Sequence, residues 1–188
     1  YNQVTSVTDP LGNETHYTYT PTMMLETETD ALNGVTTYTY DANDNITSVT
    51  DPVGNVTAYT YDNENRVITV KDARDAVYTY SYDGNGNLVQ IQNPDGGVEV
   101  YDYNLNDQLV KFTDAENYVT IYAYDANGNV IKETYTNGSD GAVTSTIEYT
   151  YDENGNQIKV ELTSVNGEVQ ATEVQYVLVY IPFVLSEE

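Results

Sequence analysis

The chain has 188 residues, with 30 Asp and Glu against 6 Lys and Arg, so its formal net charge is −24. Such an acidic chain repels phosphate backbones and anionic lipids, which excludes nucleic-acid binding through a basic groove and polybasic attachment to a membrane. The absence of Cys and the single His, His16, exclude disulfides, Cys-ligated zinc and metal-binding His pairs. Hydrophobic residues make up 39% of the chain, enough to bury a core if the 20 Tyr contribute to it.

A repeat of 21 residues runs through most of the chain. The motif Tyr-x-Tyr places its second Tyr at positions 19, 40, 61, 82, 103 and 124, and then at 151, after an insertion that fits a longer loop near 136–142. Each unit of such an array is stabilised by its neighbours. The sequence therefore predicts one repeat array over residues 1–162.

Turn signals divide each repeat into two halves. They begin at positions 9, 20, 30, 41, 51, 62, 72, 83, 93, 104, 114 and 125. In the segment 51–55, Asp-Pro-Val-Gly-Asn, the Asp caps the turn, the Pro presets φ, and the Gly accepts a positive φ. This pattern predicts a type I turn followed by a left-handed residue, the usual connection of a three-residue β-hairpin loop.

The segments between turns are rich in Val, Thr, Ile and Tyr and alternate with period two, which is typical of strands. The fold class is therefore predicted as all-β, a continuous antiparallel meander of β-hairpins. Alternation places Tyr59 and Tyr61 on one face, where we expect them to pack beside aliphatic residues such as Val49 or Leu88. An exposed aromatic platform for sugar rings is the alternative interpretation of these tyrosines.

The C-terminal residues 163–188 contain the most apolar run, 174–185, which has no charged residue and is too short to span a bilayer as a helix. We expect a terminal strand here that either caps the array or pairs by its edge with an identical subunit or a neighbouring domain. The chain begins with Tyr rather than Met, which suggests a piece of a longer or processed protein.

Residues 40–62, Tyr-Asp-Ala-Asn-Asp-Asn-Ile-Thr-Ser-Val-Thr-Asp-Pro-Val-Gly-Asn-Val-Thr-Ala-Tyr-Thr-Tyr-Asp, resemble the YD repeat of the RHS-repeat family. That family includes bacterial RHS proteins, insecticidal toxin complex shells, wall-associated proteins and teneurins. The resemblance implies a curved β-strip that spirals into a hollow shell, which encloses a toxic domain in some members. It also implies that the repeats are not catalytic. The self-cleaving aspartyl segment that ends an RHS core is absent, so self-cleavage is not carried over.

Three turn loops carry oxygen ligands at the first, third and fifth positions, as an EF-hand loop does. Their residues are Asp41, Asn43, Asn45, Asp125, Asn127, Asn129, Asp152, Asn154 and Asn156. The bidentate Glu that closes an EF-hand loop is missing, and the same residues suit a tight turn. Turn chemistry is the favoured interpretation, and weak Ca²⁺ binding is the alternative. No other cofactor is predicted.

These observations favour a non-catalytic structural scaffold, part of a large secreted or cell-surface protein that builds a rigid β-shell, stalk or extracellular filament. Two alternatives remain: an extracellular adhesin that binds calcium or carbohydrate, and the wall of a toxin-enclosing cage. Expected partners are neighbouring repeats or identical subunits that pair through edge strands, an enclosed toxin domain, or a surface ligand. No pair of acidic residues stands out from the repeated background, so no enzymatic activity is predicted.

Overall fold

The computed structural model describes residues 3–138 and 141–162, together with the backbone of residues 174–175. These residues form sixteen strands: β1 Ser6–Thr8, β2 Glu14–Tyr19, β3 Leu25–Thr29, β4 Val35–Tyr40, β5 Ile46–Thr50, β6 Val56–Tyr61, β7 Val67–Lys71, β8 Val77–Tyr82, β9 Leu88–Gln92, β10 Val98–Tyr103, β11 Leu109–Thr113, β12 Val119–Tyr124, β13 Val130–Thr136, β14 Val143–Tyr151, β15 Gln157–Leu162 and β16 Val174–Gln175. No helix occurs among them, so the all-β prediction is confirmed.

The chain divides into two compact units. Unit 1 comprises residues 1–81 and 90–96, and unit 2 comprises residues 82–89 and 97–188, so the division passes through β8 and β9. In unit 1, each strand from β1 to β8 pairs antiparallel with the next strand in sequence. The same order links β10 to β16 in unit 2. Each unit is therefore a meander of hairpins, as predicted.

All the predicted turn starts are confirmed. At each one the N–H of the fourth turn residue donates to the carbonyl of the first, as Gly54 does to Asp51 over 3.0 Å. The fourth residue lies in the left-handed region, with φ of 90° at Gly54, 61° at Asn65 and 73° at Met23. Glycine and asparagine tolerate this conformation, whereas Met23 adopts it at a cost in free energy.

The two ends of each hairpin differ. We call the turns that begin directly after a second tyrosine (at 20, 41, 62, 83, 104, 125 and 152) tyrosine turns, and those that begin at 9, 30, 51, 72, 93 and 114 distal turns. Across the tyrosine turn of β4 and β5, Thr39 pairs with Ser48 but Tyr40 pairs with Ile46, which leaves Thr47 as an extra residue. This β-bulge recurs at each tyrosine turn whose register is described, and the pairing across the distal turns is regular.

The inserted residues near 136–142 lengthen a hairpin. Strand β13 has 7 residues and β14 has 9, against 5 and 6 in the hairpin of β11 and β12. Much of the added length therefore extends the strands on either side of the loop. The predicted terminal strands in 163–188 lie outside the described residues, except that the backbone of Val174–Gln175 pairs with β15.

No described residue is buried. The expectation of a core, drawn from the hydrophobic content, is therefore wrong for the described residues. The reason is that in each unit the strands form a single layer, whose side chains are covered only by neighbours on the same face. In β2 and β8 the tyrosines are half-buried, while residues on the opposite face are exposed. The described part of the chain contains no helix suited to crossing a membrane.

Candidate functional site

Within each unit, the tyrosines of the Tyr-x-Tyr motifs share one face of the sheet, which we call the tyrosine face. Tyr38 pairs across β4 and β5 with Val49, and Tyr40 pairs with Ile46. The expected packing of the tyrosines beside aliphatic residues such as Val49 is thereby confirmed. An aromatic–aliphatic pair of this kind contributes roughly 0.2–1 kcal/mol, so the total depends on repetition.

The hydroxyls of six second tyrosines reach into the preceding repeat. Tyr40 donates to the carbonyl of Leu25 over 2.7 Å, and Leu25 pairs with Tyr19, the previous second tyrosine. We call this contact the tyrosine–carbonyl bond. In unit 1 the bonded pairs are Tyr19–Val4, Tyr40–Leu25 and Tyr61–Ile46, and in unit 2 they are Tyr103–Leu88, Tyr124–Leu109 and Tyr151–Val130.

The tyrosine–carbonyl bond lies where the backbone ladder stops. The pairs between β3 and β4 end at Thr27 and Thr37, short of the tyrosine turn. Leu25 lies beyond them, on the far side of the β-bulge, and the Tyr40 side chain reaches it from β4. The phenol therefore continues the hydrogen bonding between two hairpins that no turn connects at this end. One such bond contributes about 0.5–1.5 kcal/mol to the free energy of unfolding.

Threonine hydroxyls bond across strands on the opposite face. Thr18 lies 2.7 Å from Thr27, and Thr60 lies 2.6 Å from Thr69, measured between their Oγ1 atoms. These residues stand directly opposite one another in the register. The two faces thus differ in chemistry: one carries phenols and aliphatic groups, and the other carries hydroxyl pairs.

Neighbouring tyrosine turns are joined by side-chain amides. The Oδ1 atom of the fourth residue of one turn accepts from two asparagines of the turn before it, a contact between turns that was not predicted from the sequence. In unit 1 the acceptor Asn65 lies 3.1 and 2.8 Å from the Nδ2 atoms of Asn43 and Asn45. In unit 2 the acceptor Asp107 lies 2.8 Å from the Nδ2 atoms of both Asn85 and Asn87. A glycine in the fourth position cannot accept in this way.

The nine predicted calcium ligands lie in three separate tyrosine turns. In the first, Asp41 Oδ1 accepts from the backbone N–H groups of Asn43 and Asn45 over 2.9 Å each, and Oδ2 accepts from Asn45 Nδ2 over 3.0 Å. The turns at Asp125 and Asp152 repeat this arrangement. Within 3–138 and 141–162, no three His, Asp or Glu residues are grouped to hold a metal. Calcium binding at these turns stays a prediction.

Hydrogen bonds within these turns lower the pKa of the capping aspartates. The side-chain amide of Asn45 is the main cause at Asp41, and that of Asn129 is the main cause at Asp125. Both carboxylates therefore remain ionised at neutral pH, with their oxygens committed to the turn.

Glu133 replaces an aliphatic residue on the tyrosine face of unit 2. It pairs with Tyr122 across β12 and β13, as Val49 pairs with Tyr38. Its carboxylate accepts from the hydroxyl of Tyr135 and, over 3.0 Å, from that of Tyr149. The exception could have been found by aligning the repeats, since the other strands carry an apolar residue at most equivalent positions.

Several tyrosine hydroxyls are held in the neutral form. Burial, assisted by the Glu133 carboxylate, raises the pKa of Tyr149 to about 12. Burial and the bond to Glu99 likewise raise the pKa of Tyr101 to about 12. The hydrogen bond to Glu133 raises the pKa of Tyr135 as well. The folded chain therefore favours protonated phenols on the tyrosine face.

The fold and the tyrosine face together define an antiparallel β-hairpin repeat protein whose repeats are joined by tyrosine–carbonyl bonds. The chain belongs to the RHS-repeat family. The model of this family, described as RHS Repeat, matches residues 24–56, 40–77, 61–98 and 103–140. The resemblance drawn from the YD motif is thereby confirmed. Comparison with curated proteins gives no match.

Solved structures share the fold. The crystal structure of TcdB2-TccC3-Cdc42 aligns with a TM-score of 0.71 at 20% identity and covers 87% of this chain and 10% of that chain. TcdB2-TccC3 without its hypervariable C-terminal region gives 0.71 at 18% identity, with the same coverage of 87% and 10%. The Photorhabdus luminescens Tc holotoxin pore gives 0.70 at 20% identity and covers 87% and 9%. This chain thus spans about a tenth of the length of each neighbour.

Removing one hydroxyl from the tyrosine face tests the tyrosine–carbonyl bond. Tyr61→Phe deletes the donor to Ile46, and we expect the free energy of unfolding to fall by about 1 kcal/mol in urea denaturation. Tyr59→Phe is the matched control, because the Tyr59 hydroxyl has no hydrogen bond within the described chain. Equal losses in the two variants would contradict the assignment.

Alkaline pH should destabilise the fold through the raised phenol pKa values. A group whose pKa is higher in the folded chain stabilises it below the ordinary value of 10.0, and this contribution is lost as the pH rises toward the folded pKa. We therefore expect the free energy of unfolding to decrease between pH 10 and 12, as phenolate absorbance rises. Tyr149→Phe should make this decrease shallower. A stability that stays constant over the interval would contradict the prediction.

Substitutions of Asp125 distinguish a role in capping the turn from a role in binding Ca²⁺. Asn104 caps its own turn as an amide, with Oδ1 2.9 Å from the Asn106 N–H, so we expect Asp125→Asn to preserve the melting temperature and Asp125→Ala to lower it. If the turn also binds Ca²⁺, millimolar Ca²⁺ should raise the melting temperature of the parent chain by more than that of Asp125→Asn, which keeps the candidate turns at Asp41 and Asp152. The absence of a Ca²⁺-specific rise in the parent would contradict calcium binding.

Proposed function

We propose that this chain is a non-catalytic wall segment of a toxin-associated RHS protein that acts outside the cell or at its surface. The observation that carries the proposal is the tyrosine–carbonyl bond, which recurs between successive repeats in each unit. A scaffold needs every hairpin to be held to the next at both ends. At the distal end the turn provides the link, and at the tyrosine end the phenol provides it.

A scaffold role accounts for the tyrosines better than a carbohydrate platform does. The second tyrosines use their hydroxyls for internal bonds, and their rings are half-buried against aliphatic partners. A sugar-binding surface would instead leave ring faces and hydroxyls open to the ligand.

The toxin association is supported by the structural neighbours. Their names describe TcdB2-TccC3 complexes and a Tc holotoxin pore, and this chain resembles about a tenth of the length of each. A chain of this length would supply one section of a much longer strip. Its partners would be the repeats before and after it, and a polypeptide enclosed by the completed wall. A stalk or filament is the competing arrangement of the same strip.

Protease digestion tests whether the repeats act as one scaffold. Proteinase K is added to the 188-residue chain, and the cleavage products are followed by mass spectrometry. We expect residues 3–138 to be cut no faster than each unit unfolds, because strands within a unit are bonded on both sides. Early appearance of separate hairpins, cut at successive turns, would contradict the scaffold role.

Electron microscopy of the longest natural chain that contains these residues tests the enclosing role. We expect hollow particles in which polypeptide outside the repeats resists protease until urea opens the wall. Extended rods with readily cleaved appended segments would favour a stalk or filament and would contradict the cage. Either outcome leaves the digestion experiment on the short chain independently interpretable.

A further inference from the structure

Three aliphatic side chains protrude from consecutive distal turns of unit 1. Leu11, Leu32 and Val53 occupy the third position of the turns at 9, 30 and 51, and their exposures are 88%, 89% and 82%. We call this set the aliphatic edge. Single exposed apolar residues are ordinary, but three at the same position of consecutive turns form a regularly spaced row.

The rest of the chain shows that the turn does not require these residues. The next three distal turns carry Arg74, Asp95 and Glu116 at the same position. The turn at 72 keeps the same backbone hydrogen bonds as the turn at 51, with Asp75 N–H donating to Asp72 over 3.0 Å. The aliphatic edge is therefore a property of the first repeats, and the turn fold does not explain it.

The turns of the aliphatic edge lie side by side. A Cβ atom placed on Gly34 would lie 3.1 Å from the Cβ atom of Pro52, so the turns at 30 and 51 are in close contact. Successive distal turns are two strands apart, about 9.6 Å at the usual strand spacing. The seven-residue step of an α-helix rises about 10.5 Å, which is close to this spacing.

The surroundings of the aliphatic edge are rich in acidic residues. All charged residues among the first 65 are Asp or Glu, apart from His16. Beside the edge opens a cleft lined by Gly12, Glu14, His16 and Asp30. The six Lys and Arg of the chain lie at position 66 or later, and all of them form ion pairs with Asp or Glu of this chain. Residues 1–65 contain no Lys or Arg, and Lys71, which lines a cleft with Gly54 and Asn55 beside the edge, is paired with Asp75.

We propose that the aliphatic edge binds a cationic amphipathic helix of a partner protein, with apolar residues at every seventh position. The apolar residues would cover Leu11, Leu32 and Val53, and basic residues beside them would face the acidic cleft. Self-repulsion between two edges of the same sign disfavours a second copy of this chain as the occupant. The edge belongs to the described fold, so the inference holds for a shell, a stalk or a filament alike.

A peptide-binding experiment tests this proposal. The probe is a synthetic lysine-rich helical peptide with leucine at every seventh position, titrated into the full 188-residue chain by calorimetry at low salt. The variant Leu11→Gln/Leu32→Gln/Val53→Thr keeps the net charge and removes the aliphatic row. We expect it to bind at least about tenfold more weakly than the parent, because the apolar contacts are lost.

Two controls separate the aliphatic edge from general attraction of charge. Leu105→Gln removes a fully exposed leucine from a tyrosine turn and should leave the affinity unchanged. A second peptide of the same composition carries leucine at every fifth position. Its affinity for the parent should be as low as the affinity of the first peptide for the triple variant. Equal affinity of parent and triple variant, or no binding of the first peptide to the parent, would overturn the proposal. Circular dichroism confirms that each variant keeps its β-structure.

Discussion

A phenol hydroxyl that reaches a backbone carbonyl in the preceding repeat holds the neighbouring hairpins of this chain together. In each unit the hydroxyl of a second tyrosine donates to the carbonyl of the residue that pairs with the second tyrosine of the preceding repeat. At the tyrosine end, no turn connects one hairpin to the next. The backbone pairing between hairpins stops short of the tyrosine turn, as at Thr27 and Thr37, and the phenol supplies the hydrogen bond that continues it.

This constraint explains how the described part of the chain keeps a defined fold although none of its residues is buried. A globular domain draws its stability from apolar groups removed from water in a packed interior, whereas these strands form single-layer sheets. Small contributions must therefore be repeated many times: tyrosine–aliphatic pairs on one face, threonine hydroxyl pairs on the other, and asparagine contacts between turns. Glu133 shows that the pattern admits exceptions, since its carboxylate is accommodated by donated phenol hydroxyls.

The sequence predicted the features whose causes are local. Turn positions followed from Asp, Pro and Gly at fixed spacing, and the placement of Tyr59 and Tyr61 on one face followed from period-two alternation. It did not predict the tyrosine–carbonyl bond, because the acceptor is a backbone carbonyl of another strand and leaves no residue signature. The bulge was missed because it depends on register. The core was wrongly expected because composition does not reveal how many layers a sheet has. Whether the turn at Asp41 binds calcium is still a prediction.

The central claim is tested most directly by the exchange of the phenol hydroxyl protons. Tyrosine labelled with ¹³C at Cζ shows separate signals for protonated and deuterated hydroxyls in mixed H₂O and D₂O when exchange is slow. The account predicts slow exchange for Tyr40, Tyr61 and Tyr103, whose hydroxyls donate to carbonyls, and fast exchange for Tyr59, whose hydroxyl does not. Exchange at Tyr40 and Tyr61 as fast as at Tyr59 would contradict it.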